Sequence, residues 1–351
     1  MSLLKSHLEQ SITWSLDSGE EAPAQFSDIA KELHELNNNA ALIDFSHHDQ
    51  VEISGDERVS FLQGLTTNQI KDITADKCVY STMLTPQGRF LWDYTICETG
   101  DTLTLMTEPG QGSHLVKSLN FYLMRTKAVV KDVSSEYGVL AIVGPKATKI
   151  VSELFLDCAT KDAPLGATFT TSDNFLLWRD PRHEDFGWRL LAESEKYPQL
   201  WKKISEKISP AGYSAWESYR IQKGLPRGGK ELIPNKTLPL EASLFDLNGV
   251  NFQKGCFVGQ ETTARTHHRG TLKKRVFQVT LETENTIIDG TPVLTSSQKE
   301  AGIVTSASLH NGYCHALAML RVSDVAKGDE LSILGHKVSV HKPIWASWEL
   351  T

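Results

Sequence analysis

Lys254-Gly255-Cys256-Phe257-Val258-Gly259-Gln260-Glu261 is the stretch on which the reading of this chain turns. It sets a thiol between two glycines and beside a cation, and an amide and a carboxylate close the segment. Arg265, His267, His268 and Arg269 follow. Glycines on either side of a cysteine permit positive φ or the close approach of a ligand. A thiol beside Lys254 and a downstream basic cluster has its thiolate favoured. A lone cysteine is most often a buried, inert turn residue, but the density of special residues here favours a functional thiol. The segment also heads a basic run. Six Lys or Arg stand against the single acid Glu261 between Lys254 and Arg275, in a chain whose net charge is −7. Most such runs are solvated faces; one that abuts a glycine-rich segment suits the mouth of a site for a small polyanion.

Downstream of the run the pattern changes. From about Val276, short strands (276–281, 292–294, 302–305, 315–320, 331–334 and 337–341) alternate with turns every 8 to 12 residues, as in a small all-β barrel or sandwich. The boundary falls near residues 268 to 275. Upstream, strands and helices alternate. Residues 1 to about 40 read as an amphipathic helical region ending at Asn37-Asn38-Asn39. Residues 51–56 read as a strand, with Asp56 capping the helix that starts at Glu57-Arg58. Strands over 79–84 and 90–97 flank the turn Thr85-Pro86-Gln87-Gly88. Helices are expected over 114–123, 146–156, 199–208 and 214–223, and strands over 102–106, 139–143, 175–178 and 187–191, the last two flanking Arg179-Asp180-Pro181-Arg182. This alternation, without a long parallel run, predicts an α+β arrangement of split βαβ units.

The chain has 351 residues, 40% hydrophobic and 23% charged, with eight Trp, which is the composition of a globular protein of two or three domains. No apolar run is long enough for a membrane span. The acidic N-terminal residues resemble neither a transit nor a signal peptide. Five scattered cysteines without a CxxC pair encode neither a zinc ribbon nor a disulfide framework. A cytoplasmic, reducing setting is expected, and the net charge predicts no direct nucleic-acid binding. His267-His268, and Asp44 with His47-His48, lack a clear set of three or four ligands, so no metal site is predicted.

The Cys256 segment resembles the hallmark of the YgfZ-type folate-binding family of iron–sulfur cluster maintenance, a branch related to the glycine-cleavage aminomethyltransferase (T-protein). Supporting tracts are residues 55–64 (GDERVSFLQG), 85–89 (TPQGR), 220–226 (RIQKGLP), 239–242 (PLEA) and 316–321 (ALAMLR). The resemblance implies a T-protein-like folate-binding body over 41–270, after an N-terminal helical extension over 1–40, and a small C-terminal β-barrel over 271–351. It implies tetrahydrofolate as cofactor and iron–sulfur client or assembly proteins as partners, including an enzyme that thiomethylates tRNA; the chain is expected to act as a monomer.

Cys256 and Lys254 are the expected reactive pair, with Lys254 lowering the thiol pKa. Gln260, Glu261, Glu241 and Gln222 carry groups able to pair with a pterin edge. Tyr122, Trp92, Trp216 and Tyr219 carry faces able to stack on it, although the commoner role of such aromatics is ordinary core. Arg265, Arg269 and Lys273 suit the glutamate tail. Two departures from the methyltransferases stand out. In Leu91-Trp92-Asp93 one acid of their pair is replaced by Trp, and Gln222 stands where they carry glutamate. Both weaken the alternative of a tetrahydrofolate-dependent aminomethyl or C1 transferase in favour of an accessory factor. A scaffold that has lost its ligand is the third possibility.

Overall fold

The acidic N-terminal stretch folds as a hairpin before it becomes a helix. In the computed structural model, which describes residues 2–8, 12–269 and 272–350 and Arg269 by its backbone alone, strands Thr13–Asp17 and Glu20–Gln25 pair antiparallel. Ser18 and Gly19 between them have φ of 52° and 95°, the two successive positive values that a tight two-residue hairpin turn demands. Among the described residues the expected helix over 1–40 is thus confined to Ile29–Asn38. Pro23, which removes a helical N–H, opposes helix where the second strand runs. Asp28 caps the helix, accepting from the N–H groups of Ala30 and Lys31 at 2.9 and 3.3 Å.

The chain forms two units, each assembled from distant segments: Met1–Met83, Trp92–Trp216 and Asn248–Phe257 in the first, and Leu84–Leu91, Glu217–Leu247 and Val258–Thr351 in the second. The first is built on two five-stranded sheets. One runs in the order Thr168–Thr170, Leu176–Arg179, Trp188–Glu193, Tyr137–Val143, Ala41–Asp44, antiparallel throughout. Leu140, Ile142, Leu177, Trp188 and Leu190 fill its core against Tyr197, Leu200 and Ile204 of helix Tyr197–Ser205. The other sheet runs Val79–Leu84, Phe90–Thr99, Thr102–Thr107, Asp49–Ser54, Val129–Asp132. Helix Arg58–Gln63 follows strand Asp49–Ser54, but Asp56 does not cap it. Glu57 holds the cap position without a side-chain bond to the helix, and its carboxylate instead accepts the Lys127 N–H at 2.6 Å.

In the second unit seven antiparallel strands form one curled sheet, in the order His336–Lys337, Leu331–Ile333, Pro292–Thr295, Glu300–His310, Tyr313–Arg321, Lys274–Glu282, Ser339–His341. Its two edge strands are separated in sequence by Val338 alone, so the sheet closes almost into the predicted barrel. Phe277, Val279, Val304, Ala318 and Leu320 fill it. Among the described residues no helix is long and apolar enough to cross a membrane.

Candidate functional site

Lys254 is a fastener. Its ammonium, 6% exposed, donates to the carbonyls of Gln63 and Asn68, each at 2.8 Å, and to that of Thr66. The Gln63 carbonyl ends helix Arg58–Gln63, at the negative pole of its dipole, and those of Thr66 and Asn68 lie in the turn that follows. All three ammonium N–H bonds are therefore spent on backbone, and burial pulls the lysine down to about 8. The strand of chain before it is tied to the same segment: Asn251 donates its N–H to Thr67 O at 3.0 Å, and Asn68 Nδ2 donates to Asn248 O at 2.7 Å. Just beyond, the Phe257 ring is buried, its centroid 5.1 Å from the Lys254 ammonium. Gly255 and Cys256, between two anchored residues, are left exposed. The other four cysteines are buried, and burial pushes the thiols of Cys78, Cys158 and Cys314 up, that of Cys314 to about 11.

In the second unit, Gly259 opens helix Gln260–Arg269 with φ of 84°, and a Cβ there would sit 2.6 Å from Thr85 O and 3.0 Å from Gly88 Cα. Gly88, φ 76°, closes the hairpin turn by donating its N–H to Thr85 O at 2.8 Å. The two glycines let hairpin and helix start touch backbone to backbone. Gln260 on this helix is half-buried, whereas Glu261 and Arg265 are exposed. Glu261 lies in the first helical turn, where the helix dipole favours an anion. The Arg269 side chain lies outside the described residues. Glu241 accepts the Leu238 N–H at 2.8 Å and so closes its own 3-10 turn, Pro239–Ala242, while burial holds its pKa above the usual range.

A cluster of buried charge lies in the first unit, in and beside the segment after strand Leu176–Arg179. Asp180 and Arg182 follow strand Leu176–Arg179; the guanidinium grips the carboxylate with two bonds, 2.9 and 2.8 Å, and stacks 3.6 Å from the centroid of Phe186 and 5.2 Å from that of Tyr80. Tyr80 donates its hydroxyl to Asp93 Oδ2 at 2.8 Å. Arg189 lies 3.7 Å from Asp180 and over the rings of Phe45 and Trp216. Burial opposes ionisation of Asp180, but Arg182 and Arg189 outweigh it and hold the carboxyl below its usual range. Asn248 Nδ2 donates to Pro181 O at 3.0 Å, so amide bonds run from the Lys254 turn through Asn68 and Asn248 to this loop.

Trp216 of helix Tyr213–Lys223 is therefore part of the buried centre, edge-on to Phe45 at 5.5 Å. Trp92 is elsewhere: its Nε1 donates to Ser118 at 3.1 Å and its ring lies parallel to His114. Alternation along strand Phe90–Thr99 sends it to the face opposite Asp93. Tyr122 is half-buried on helix Gly112–Leu123, edge-on to Phe121. Tyr219 is fully buried. Trp216 and Asp93 were legible as candidates in the sequence; for Asp180 and Arg182 the available signal is the charge of Arg179-Asp180-Pro181-Arg182 between two apolar strands.

The GCVT N-terminal domain family matches residues 4–247, well over half of the chain. The chain belongs to the GCVT family. Its residues 273–348 match the CAF17 C-terminal β-barrel domain, in agreement with the seven-stranded sheet. Among similar proteins, the mitochondrial iron–sulfur cluster assembly factor IBA57 of Mus musculus is 31% identical over 79% of this chain and 76% of its own length. The Homo sapiens protein of the same name is 33% identical over 71% and 70%. An aminomethyltransferase of Moorella thermoacetica is 28% identical over 89% and 86%. The crystal structure of the glycine cleavage system aminomethyltransferase T from Bartonella henselae superposes with a TM-score of 0.82 over 96% of this chain and 95% of that one, at 18% identity; the T-protein-like fold expected from the sequence is the fold observed.

Proposed function

We propose that this GCVT-family chain is a folate-binding accessory protein for iron–sulfur cluster assembly or repair, with Cys256 as its functional thiol. The observation that carries the reading is the presentation of Cys256: it is the exposed cysteine of five, held out between the anchored Lys254 and Phe257. The mouse and human relatives are iron–sulfur assembly factors by name. They are also mitochondrial by name, so the cytoplasmic setting expected from cysteine usage does not extend to all relatives. Lys254 serves the thiol by fixing the turn. Iron–sulfur client or assembly proteins are the partners in this reading, tRNA-thiomethylating enzymes among them.

The residues present fit a reduced folate. A pterin offers donors and acceptors along one edge and flat faces. The first unit supplies a buried carboxylate at Asp93, guanidinium groups at Arg182 and Arg189, and the rings of Tyr80 and Trp216: Tyr80 donates to Asp93, both guanidinium groups face Asp180, and Arg189 lies over Trp216. Bound there, tetrahydrofolate would supply one-carbon chemistry, while these residues orient it and exclude water. Separately, and on the sequence motif alone, Gln260, Arg265 and Arg269 are proposed as folate contacts, the two arginines suiting a glutamate tail. Aminomethyl transfer is the second reading, favoured by the retained Asp93 and by the Moorella relative.

Tryptophan-fluorescence titration with tetrahydrofolate tests the folate reading. Saturable binding that persists in Cys256→Ser and weakens about tenfold or more in Asp93→Asn is expected, since a buried charged hydrogen bond contributes about 1.5–3 kcal/mol. Absence of binding by folded wild type removes the folate claim. Full restoration of iron–sulfur enzyme activity in a deletion strain by Cys256→Ser removes the thiol claim. Turnover with the aminomethyl donor of the glycine cleavage system would favour the second reading.

A further inference from the structure

The turn of the N-terminal hairpin delivers a carboxylate to a pair of histidines. Asp17, the last residue of strand Thr13–Asp17, is 2% exposed. Its Oδ2 lies 3.1 Å from Nε2 of His47, and its Oδ1 accepts the Tyr213 hydroxyl at 2.9 Å. His47, 3% exposed, stands in the turn after strand Ala41–Asp44, and the half-buried His48 ring is set edge-on to it with centroids 4.9 Å apart. One ligand atom from each of Asp17, His47 and His48 can be chosen so that all three lie within 4.8 Å of one another.

We propose that Asp17, His47 and His48 form a binding site for a divalent transition-metal ion of the zinc or ferrous class. Two imidazoles and a carboxylate are the mixed nitrogen and oxygen ligands such ions select. Three protein ligands leave further coordination positions open to water or a small anion. Metal–ligand bonds of about 2.0–2.1 Å place neighbouring ligand atoms of a tetrahedral ion about 3.3 Å apart; Asp17 and His47 already stand at 3.1 Å. His48, half-buried on a bend, brings the third ligand atom within 4.8 Å of both. Tyr213 holds Oδ1, which directs Oδ2 at His47, the outer-shell bond that metal-binding carboxylates keep. The Nδ1 atom of His47 is buried without a hydrogen-bond partner among the described residues. Nothing there locks the tautomer: the ring proton now shared with Asp17 can move to Nδ1 and free the Nε2 lone pair for the cation. The adjacent histidines lacked a third ligand in sequence; the hairpin supplies it from 30 residues away.

This inference is independent of the folate and thiol readings. The test uses the full chain, stripped with a chelator and titrated with Zn²⁺ against a chromophoric competitor, and separately with Co²⁺ followed by its absorption. We expect one ion per chain, with the intense cobalt bands of low coordination number. His48→Gln, at the most exposed of the three positions, should weaken binding about a hundredfold or more while unfolding like the wild type without metal. Metal should raise the wild-type unfolding midpoint and leave that of His48→Gln in place. Cys256→Ser should bind as the wild type does. No binding by folded wild type, equal binding by His48→Gln, or loss of binding in Cys256→Ser would each overturn the site, the last by moving the metal to the thiol.

Discussion

At the scale of single residues, the two glycines around Cys256 have different duties. Gly259 has positive φ and no space for a Cβ against Thr85 O, whereas nothing lies within 4 Å of the Cβ position of Gly255. Gly259→Ala should therefore lose about 1–3 kcal/mol, and Gly255→Ala should stay within about 0.5 kcal/mol of wild type, as read from urea unfolding. Asp180 predicts a pH dependence. Its pKa is below the usual value in the folded chain, against burial, because Arg182 and Arg189 stabilise the carboxylate. The unfolded chain thus binds the proton first as pH falls. The contribution of Asp180 is complete above about pH 3.9 and is lost as pH falls through the lower, folded value. Asp180→Asn should show a shallower fall in stability over that acid range than the wild type. The sequence announced Cys256, but not Lys254's partners: its three carbonyls come from residues 63 to 68, nearly 190 positions away.

At the scale of elements, buried charge fastens helix Tyr213–Lys223 and the segment after it to the barrel strand Glu300–His310 within the second unit. Arg220, 1% exposed, donates to Glu231 at 3.0 Å, to Glu217 at 2.7 and 2.8 Å and to the Ser306 hydroxyl at 2.8 Å. Glu231, fully buried, also accepts from Thr305 at 2.9 Å. Removing Glu231 takes one of two counter-ions from the buried Arg220 and an acceptor from the hydroxyls of Thr305 and Ser306. Glu231→Ala should cost about 3–5 kcal/mol, measured as a fall in the denaturant midpoint at unchanged slope, while Glu231→Gln should cost less. Helix and barrel strands were legible because their periods of 3.6 and 2 are local. The N-terminal hairpin was not: Ser18-Gly19 is a weak turn signal beside the helical spacing that follows, and only pairing against Glu20–Gln25 makes the first strand. Strand Val129–Asp132, equally missed, exists through its pairing with Asp49–Ser54.

At the scale of the whole molecule, burial sorts the five cysteines into four that are inert and one that is presented. Titration of the native chain with a thiol reagent should show one fast-reacting group, with four more released by denaturant. Cys256→Ser should show no fast group at all. By itself the sequence determined the family, the α+β body, the barrel that follows it and the glycine-flanked thiol, because each is written in contiguous residues. Tertiary structure alone decided which polar residues meet: Asp93 with Tyr80, Asp180 with Arg182 and Arg189, Asp17 with His47. It also separated Trp92 from Asp93 and exposed Glu261. The physical reason is range. Periodicity and turn chemistry act over a few residues, whereas a buried carboxylate is held by whichever cation or hydroxyl the packed core brings within about 3 Å of it, and that partner can come from any point along the chain.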